Sequence, residues 1–124
     1  MMFTIRKQFE FSAAHQLNGL PENHQCSRLH GHNYIVEVEL QSHRLDDRGF
    51  VVDYGELKAL RHHLDANFEH RCLNDFFSQP TAETIAAQLF HWCKQRWPQT
   101  VAVSVSETPK TWARFEFTES GEQE

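Results

Sequence analysis

The chain has 124 residues and a formal net charge of −5, and hydrophobic residues make up 40% of it. These values fit one globular domain with a single core. No run of Lys and Arg exceeds two residues, which argues against nucleic acid as a partner because phosphate backbones need a concentrated basic surface.

Membrane segments and export signals are not expected either. No stretch of 18 apolar residues could span a bilayer, and the N-terminus lacks the apolar core of a secretory signal. The three cysteines are an odd number and show no tight pairing pattern. A reduced, cytoplasmic setting is therefore predicted.

Two segments near the N-terminus alternate in the manner of β-strands with one buried face. The first covers residues 3–11, where Lys7 is the exception on the apolar side. A loop rich in Gly, Pro, Asn and His follows over residues 17–28. The second strand is predicted over residues 33–41, and its apolar side carries Tyr34, Val36, Val38 and Leu40.

Two helices are predicted in the middle of the chain, after a turn at residues 46–49 and extended chain at residues 50–52. The first helix runs from Tyr54 to about Asn67, with its inner side formed by Leu57, Leu60 and Leu64. Thr81 is predicted to cap the second helix, which ends before Pro98. Its inner stripe consists of Ile85, Ala86, Leu89, Trp92 and Cys93.

Two further alternating segments complete the chain. They carry Val101, Val103 and Val105, and then Ala113, Phe115 and Phe117. The order β-β-α-α-β-β, with strands and helices segregated, predicts an α+β fold with both helices on one face of an antiparallel four-stranded sheet. Such a sheet has open edges, which favours pairing between subunits and hence an oligomer.

The densest group of chemically active residues is the segment Cys26-Ser-Arg-Leu-His30-Gly-His32. Residues two apart on a strand share a face, so His30 and His32 can point at one site. His15, at the end of the first strand, is the predicted third ligand, and His24 in the loop is its competitor. Catalytic zinc takes three protein ligands and keeps one position open; the alternative is surface histidines without a metal.

Four other residues have alternative interpretations. Cys26 is a fourth ligand in a closed structural site, a loop thiol without a role, or a thiolate base or nucleophile. Glu69 and His70 suit proton transfer if the carboxylate contacts the imidazole, but neighbours in sequence need not touch. Glu107 ends a valine-rich strand and is either an edge residue or a ligand anchor.

Six ordered motifs resemble those of the 6-pyruvoyl-tetrahydropterin synthase and 6-carboxy-tetrahydropterin synthase family, across nearly the whole chain. The motifs are Phe11-Ser-Ala-Ala-His15, Cys26-Ser-Arg-Leu-His30-Gly-His32-Asn-Tyr, Val52-Asp53-Tyr54-Gly-Glu-Leu-Lys58, His70 followed by Leu73-Asn74-Asp75, Pro80-Thr81-Ala-Glu83, and Ser106-Glu107-Thr108. The spacing from Cys to His-Gly-His resembles the bacterial 6-carboxy branch, which serves synthesis of queuosine and other deazapurines.

The resemblance implies a tunnelling fold (T-fold) as a single catalytic domain over residues 1–118, with a flexible acidic tail over residues 119–124. It implies a homo-oligomer, either a trimer or a dimer of trimers, with active sites between subunits. The implied activity is a cytoplasmic lyase that converts 7,8-dihydroneopterin triphosphate to 6-carboxy-tetrahydropterin and releases triphosphate and acetaldehyde. The 6-pyruvoyl product and a weakened pterin- or metal-binding homologue are the alternatives.

The resemblance also assigns roles to individual residues. The implied zinc ligands are His15, His30 and His32, the proton-transfer residues are Cys26, His70 and Glu69, and the substrate-binding residues are Glu107 and Thr81. Glu107 would anchor the pterin ring. At position 69 the chain departs from the family, which usually has Asp there, and Glu is one methylene longer.

Overall fold

The computed structural model describes residues 1–116 and 118, and it confirms the predicted β-β-α-α-β-β order. The elements are β1 (Phe3–His15), β2 (His30–Ser42), α1 (Lys58–Asn67), α2 (Ala82–Arg96), β3 (Thr100–Thr108) and β4 (Thr111–Glu116). The strands form one antiparallel sheet in the order β1-β2-β3-β4. The predicted α+β class is confirmed, while Phe117 and the predicted tail over 119–124 lie outside the described residues.

Strands β1 and β2 are 13 residues long and pair along their whole length, from Phe3 opposite Ser42 to His15 opposite His30. Alternate side chains of a strand point to opposite faces of the sheet. The face that buries Phe11 and Tyr34 is therefore also the face of His15 and His30. Strand alternation thus brings the histidines to one end of the apolar face.

Both helices cover this face of the sheet. The predicted inner side of the first helix is confirmed, because its three leucines are fully buried. In α2, Phe90 is buried although it lies outside the predicted stripe, while Trp92 is only partly buried. The Phe90 ring lies 5.1 Å from that of Phe115 on β4, which shows that the buried side of α2 is turned toward β4.

The ends of the helices follow local rules. The segment predicted as one helix from Tyr54 begins instead as a 3-10 turn over Tyr54–Leu57, where the Asp53 carboxylate accepts a hydrogen bond from the Gly55 amide. The predicted cap of α2 is confirmed, since Thr81 Oγ1 accepts from the Thr84 amide at 3.2 Å. Within the described residues, neither helix is long and apolar enough to cross a membrane.

A β-bulge changes the prediction for the third strand. Leu40 pairs with Thr100 and Glu39 pairs with Ala102, so β3 carries one extra residue between them. Val101 is that residue, and its side chain is only partly buried, whereas Thr100 is fully buried. The simple alternation predicted from Val101 onward therefore fails at the start of β3.

Candidate metal centre

Three imidazoles meet where β1 ends and β2 begins. Antiparallel register places His15 opposite His30, and His32 lies two residues further along β2 on the same face. One ligand atom from each ring lies within 4.8 Å of the other two. His15 is fully buried, and His30 and His32 are partly buried. The sequence prediction that these residues come together is confirmed.

Backbone carbonyl groups fix the orientation of two of these rings. His15 Nδ1 lies 2.7 Å from the Pro80 carbonyl oxygen, and His30 Nδ1 lies 2.6 Å from the Arg28 carbonyl oxygen. A carbonyl oxygen only accepts, so each Nδ1 carries the proton and each Nε2 of a neutral ring presents a lone pair. A hydrogen bond donated by the ring nitrogen that does not bind the metal is typical of metal-binding histidines.

The two Nε2 atoms of His15 and His30 lie 3.0 Å apart. Two neutral rings with protonated Nδ1 atoms cannot form a hydrogen bond there, because both Nε2 atoms are acceptors. Either one ring becomes cationic, or a metal ion lies between the two lone pairs. Three convergent nitrogen donors are a ligand set that Zn²⁺ accepts, so the residues fit a metal ion.

The electrostatic environment of His32 also favours a neutral ring. Burial is the largest influence and lowers the pKa of His32; Glu107 opposes this effect, and His15 and His30 lower the pKa further. A neutral imidazole keeps its lone pair for a metal ion.

Glu107 lies beside this centre. Its Oε2 is 3.4 Å from His15 Nε2 and 3.8 Å from His32 Nε2. The β2–β3 register is responsible, since it pairs Ile35 with Ser106 and so brings the end of β3 level with the histidines. The sequence alone placed Glu107 only at a strand end, because pairing between residues 71 positions apart, such as Ile35 and Ser106, leaves no local signal.

Cys26 is close in sequence but is not a member of the group of converging ligand atoms found among the described residues. It lies in a 3-10 turn, Gln25–Ser27, and its thiol group is partly buried. His24, the competing ligand candidate, instead accepts a hydrogen bond from the Cys26 amide through Nδ1 at 3.0 Å. His24 is therefore the cap of this turn rather than part of the three-histidine cluster.

Glu69 and His70 follow α1 and contact the outer edge of β1. Glu69 Oε1 accepts a hydrogen bond from the Ser12 amide at 2.8 Å and lies 3.5 Å from His70 Nε2. The two neighbours in sequence therefore do touch. The His70 amide donates to the Ser12 carbonyl oxygen at 2.7 Å, and His70 has a φ of 58° with its side chain 80% exposed.

One open depression of about 560 Å³ reaches from His32 of the three-histidine cluster to His70. It is lined by residues of β1, β2 and the segment after α1, among them Ala14, Gly31, His32, His70 and Cys72. A ligand in this depression would contact one imidazole of the metal centre and the exposed ring of His70.

The remaining substrate-binding candidate, Thr81, has a local partner. The Thr81 hydroxyl caps α2, and the preceding residue, Pro80, provides the carbonyl group that orients His15. The helix start and the metal centre are thus connected through adjacent residues. The predicted contact of Thr81 with substrate stays a prediction.

Comparison with known proteins shows which family the chain resembles. The family model described as 6-pyruvoyl tetrahydropterin synthase matches residues 4–118. A Synechocystis protein named 6-carboxy-5,6,7,8-tetrahydropterin synthase is 38% identical, over 92% of this chain and 93% of its own length. A Bacillus subtilis protein of the same name is 32% identical, over 91% of this chain and 84% of its own length.

Solved structures confirm the T-fold. Caenorhabditis elegans 6-pyruvoyl tetrahydropterin synthase superposes with a TM-score of 0.83 and 27% identity, covering 95% of this chain and 97% of its own. An uncharacterized Wolinella succinogenes protein has the same TM-score at 22% identity, covering 95% of this chain and 99% of its own, which shows the fold alone. From its sequence motifs, its fold and these matches, the chain belongs to the 6-pyruvoyl tetrahydropterin synthase family.

Proposed function

We propose that this chain is a zinc-dependent 6-carboxy-5,6,7,8-tetrahydropterin synthase. It would convert 7,8-dihydroneopterin triphosphate to 6-carboxy-tetrahydropterin, with release of triphosphate and acetaldehyde, in the cytoplasm and in queuosine synthesis. The observation that carries the proposal is the pair of Nε2 atoms of His15 and His30, 3.0 Å apart with both Nδ1 atoms against carbonyl oxygens. Relatives that bear this name at 32% and 38% identity support the choice of reaction.

His15, His30 and His32 would hold the metal. When bound, Zn²⁺ would supply Lewis-acid polarisation of the oxygen atoms on the substrate side chain. The chain prepares the site by fixing two rings through carbonyl groups and by burying His15 completely. Such preorganisation means that little ordering is needed when substrate arrives.

Proton transfer is assigned to Cys26 and His70, with Glu69 as the partner of His70. The contact between the Glu69 carboxylate and His70 Nε2 supports this pairing, because a carboxylate beside an imidazole orients the ring and fixes its tautomer. The exposed ring of His70 is free to meet a substrate or another subunit. The partly buried Cys26 thiol would transfer a proton as the counterpart of His70.

Glu107 and Thr81 are assigned to the pterin. A carboxylate offers two acceptor oxygens, which suit the adjacent amino and ring N–H donors of a pterin. The carboxylate of Glu107 lies beside the imidazoles and is 27% exposed, so a pterin bound to it would have its side chain near the metal ligands. This arrangement supports an anchor role rather than that of an edge residue.

We also propose a homo-oligomer, either a trimer or a dimer of trimers. Within the described residues, β4 has a strand partner on one side only, and the β1 edge forms backbone hydrogen bonds to other segments only near its C-terminal end. Open strand edges of this kind favour pairing with a second copy. Sedimentation velocity at several concentrations would test the prediction, and a monomer throughout would contradict it.

The central experiment incubates zinc-loaded protein with 7,8-dihydroneopterin triphosphate and identifies the products by mass spectrometry. We expect 6-carboxy-tetrahydropterin together with acetaldehyde in equal amounts. A His91→Ala variant, altered at an exposed histidine of α2, serves as the matched control for histidine replacement. Unchanged substrate with fully metal-loaded protein would refute the proposed function.

The second candidate is 6-pyruvoyl-tetrahydropterin synthesis from the same substrate. It is favoured by the overlap with the C. elegans enzyme of that name along 95% of the chain. The same product analysis distinguishes the two reactions, since the 6-pyruvoyl reaction keeps all side-chain carbon atoms and releases no acetaldehyde. A weakened pterin-binding homologue, suggested by Glu69, would bind the substrate tightly without forming either product.

A further inference from the structure

Arg61 connects α1 to β1 and to the segment that follows α1. Its Nη1 donates a hydrogen bond to the Glu10 carbonyl oxygen at 2.7 Å. Its Nε donates to Asp65 Oδ1 at 3.0 Å, one helical turn further along. The side chain is 30% exposed, so these contacts are shielded in part from solvent. The hydrogen bond to Glu10 places the guanidinium group at the β1 edge of the sheet.

The remaining nitrogen of Arg61 faces Glu69. Nη2 lies 2.8 Å from Asp65 Oδ1 and 3.7 Å from Glu69 Oε2. This buried nitrogen has no hydrogen bond of good geometry within the described residues. A buried donor without a well-aligned acceptor is costly, so a small approach by Glu69 would both give Arg61 Nη2 a hydrogen bond and restrain the carboxylate.

Glu69 is restrained on its other side by β1. Its Oε1 accepts from the Ser12 amide, and the same oxygen is the one nearest His70 Nε2. His70 has a positive φ and donates its amide to the Ser12 carbonyl oxygen. A residue in that conformation persists only where its surroundings determine it, and here Ser12 contacts both Glu69 and His70.

The length of Glu69 suits this arrangement. Its amide donates to the Leu64 carbonyl oxygen at the end of α1, while its carboxylate reaches the Ser12 amide on β1. The side chain therefore spans the gap between helix end and strand edge, with Arg61 beside it. A shorter Asp side chain would need a different backbone position to make the same contact.

We propose that Arg61 is a positioning residue, which holds the Glu69 carboxylate in the place from which it orients His70. This inference rests on the proposed function, because His70 matters only if its ring transfers protons. Asp65 assists by fixing Arg61 through an i, i+4 pair. Arg61 itself acts through Glu69 and not on the substrate.

The test compares Arg61→Gln and Arg61→Lys with Lys58→Gln, which removes an exposed positive charge from the same helix. We expect Arg61→Gln to lower kcat on the order of tenfold while KM changes by less than about twofold, as orientation effects act on the reaction step. Arg61→Lys should recover part of the loss, since an ammonium keeps the charge but not the planar fork. Lys58→Gln should match the wild type, and zinc content should be equal in all four proteins.

Amide hydrogen exchange at Ser12 provides a readout that does not depend on turnover. We expect exchange on the order of tenfold faster in Arg61→Gln than in Lys58→Gln, because a loosened carboxylate protects the amide less well. Unchanged exchange in both Arg61 variants, or faster exchange with unchanged kcat, would overturn the inference. If the wild type itself formed no product, the proposed function would fail, and Ser12 exchange would still decide whether Arg61 holds Glu69.

Discussion

The three-histidine centre and the Glu69–His70 pair each contribute one imidazole, His32 and His70, to the wall of one depression, yet the chain holds the two groups in different ways. His15 and His30 are oriented by strand register and by two backbone carbonyl groups, and His15 is fully buried. His70 lies in a turn at positive φ with its ring 80% exposed. The three histidines are therefore fixed by the sheet itself, whereas the Glu69–His70 pair depends on a few contacts between a turn and the edge of β1.

The largest effect is expected from losing a ring of the metal centre. His15→Ala, His30→Ala or His32→Ala should each remove zinc and lower turnover about 10³-fold or more, because Lewis-acid stabilisation is worth several kcal/mol. Metal analysis after dialysis and product formation would measure both changes. His91→Ala is the matched control; retention of a full equivalent of zinc by His30→Ala would show that the centre is not the metal site.

The second largest effect is expected from replacing Cys26, and it distinguishes a proton-transfer residue from a metal ligand. Cys26→Ala should keep its zinc and lower turnover by about 10²- to 10⁴-fold, the range typical of a lost general acid or base. The reason is that Cys26 lies outside the group of converging ligand atoms. Metal content and turnover of the same preparation would test this, with Cys93→Ala as a fold control. Loss of zinc from Cys26→Ala would instead make the thiol a ligand and the site a closed one.

A smaller effect is expected when the Glu69 side chain is shortened without removing its negative charge. Glu69→Asp should lower turnover by about tenfold, since the shorter side chain loses the contact with the Ser12 amide while the carboxylate charge remains. The metal centre should be unaffected. Steady-state kinetics and zinc analysis would measure the outcome, and a rise in kcat would show that Glu69 impairs the reaction.

The sequence predicted the fold well because its signals are local. Alternation in β1 and β2, leucine spacing in α1 and the hydroxyl of Thr81 each reflect contacts within a few residues. Val101 was misplaced because the bulge depends on how β3 pairs with β2. Phe90 was missed, and Trp92 packs against the core only in part, because the buried side of α2 is set by its packing against β4.

The candidate site also combines residues that local sequence signals predict with contacts that they do not predict. His15, His30 and His32 could be predicted, because strand alternation and a hairpin-like pairing bring them together. The carbonyl groups of Pro80 and Arg28, the approach of Glu107 and the contact of Arg61 with Glu69 could not. Each depends on tertiary register between segments that are distant in sequence or on backbone atoms, which are the same in every residue.

The smallest expected effect concerns pH and a histidine outside both groups. His63 lies between the helices, stacked on Trp92 at 4.3 Å, with Asn67 Nδ2 3.2 Å from its Nδ1. Burial lowers the pKa of His63, and the neighbouring Gln88 side chain opposes this only in part. The unfolded chain therefore binds a proton at His63 more readily than the folded chain does. The free energy of unfolding should thus have its full value above about pH 6.5 and fall as the pH decreases below it. For a single group this slope cannot exceed about 1.4 kcal/mol per pH unit.

Urea unfolding between pH 5 and 8 would measure this slope. His63→Gln should flatten the acid side of the curve, whereas His62→Gln, at an exposed neighbour on α1, should not. Because both variants keep His15, His30 and His32, the difference between the two curves isolates His63, and equal curves would show that His63 does not cause the acid sensitivity.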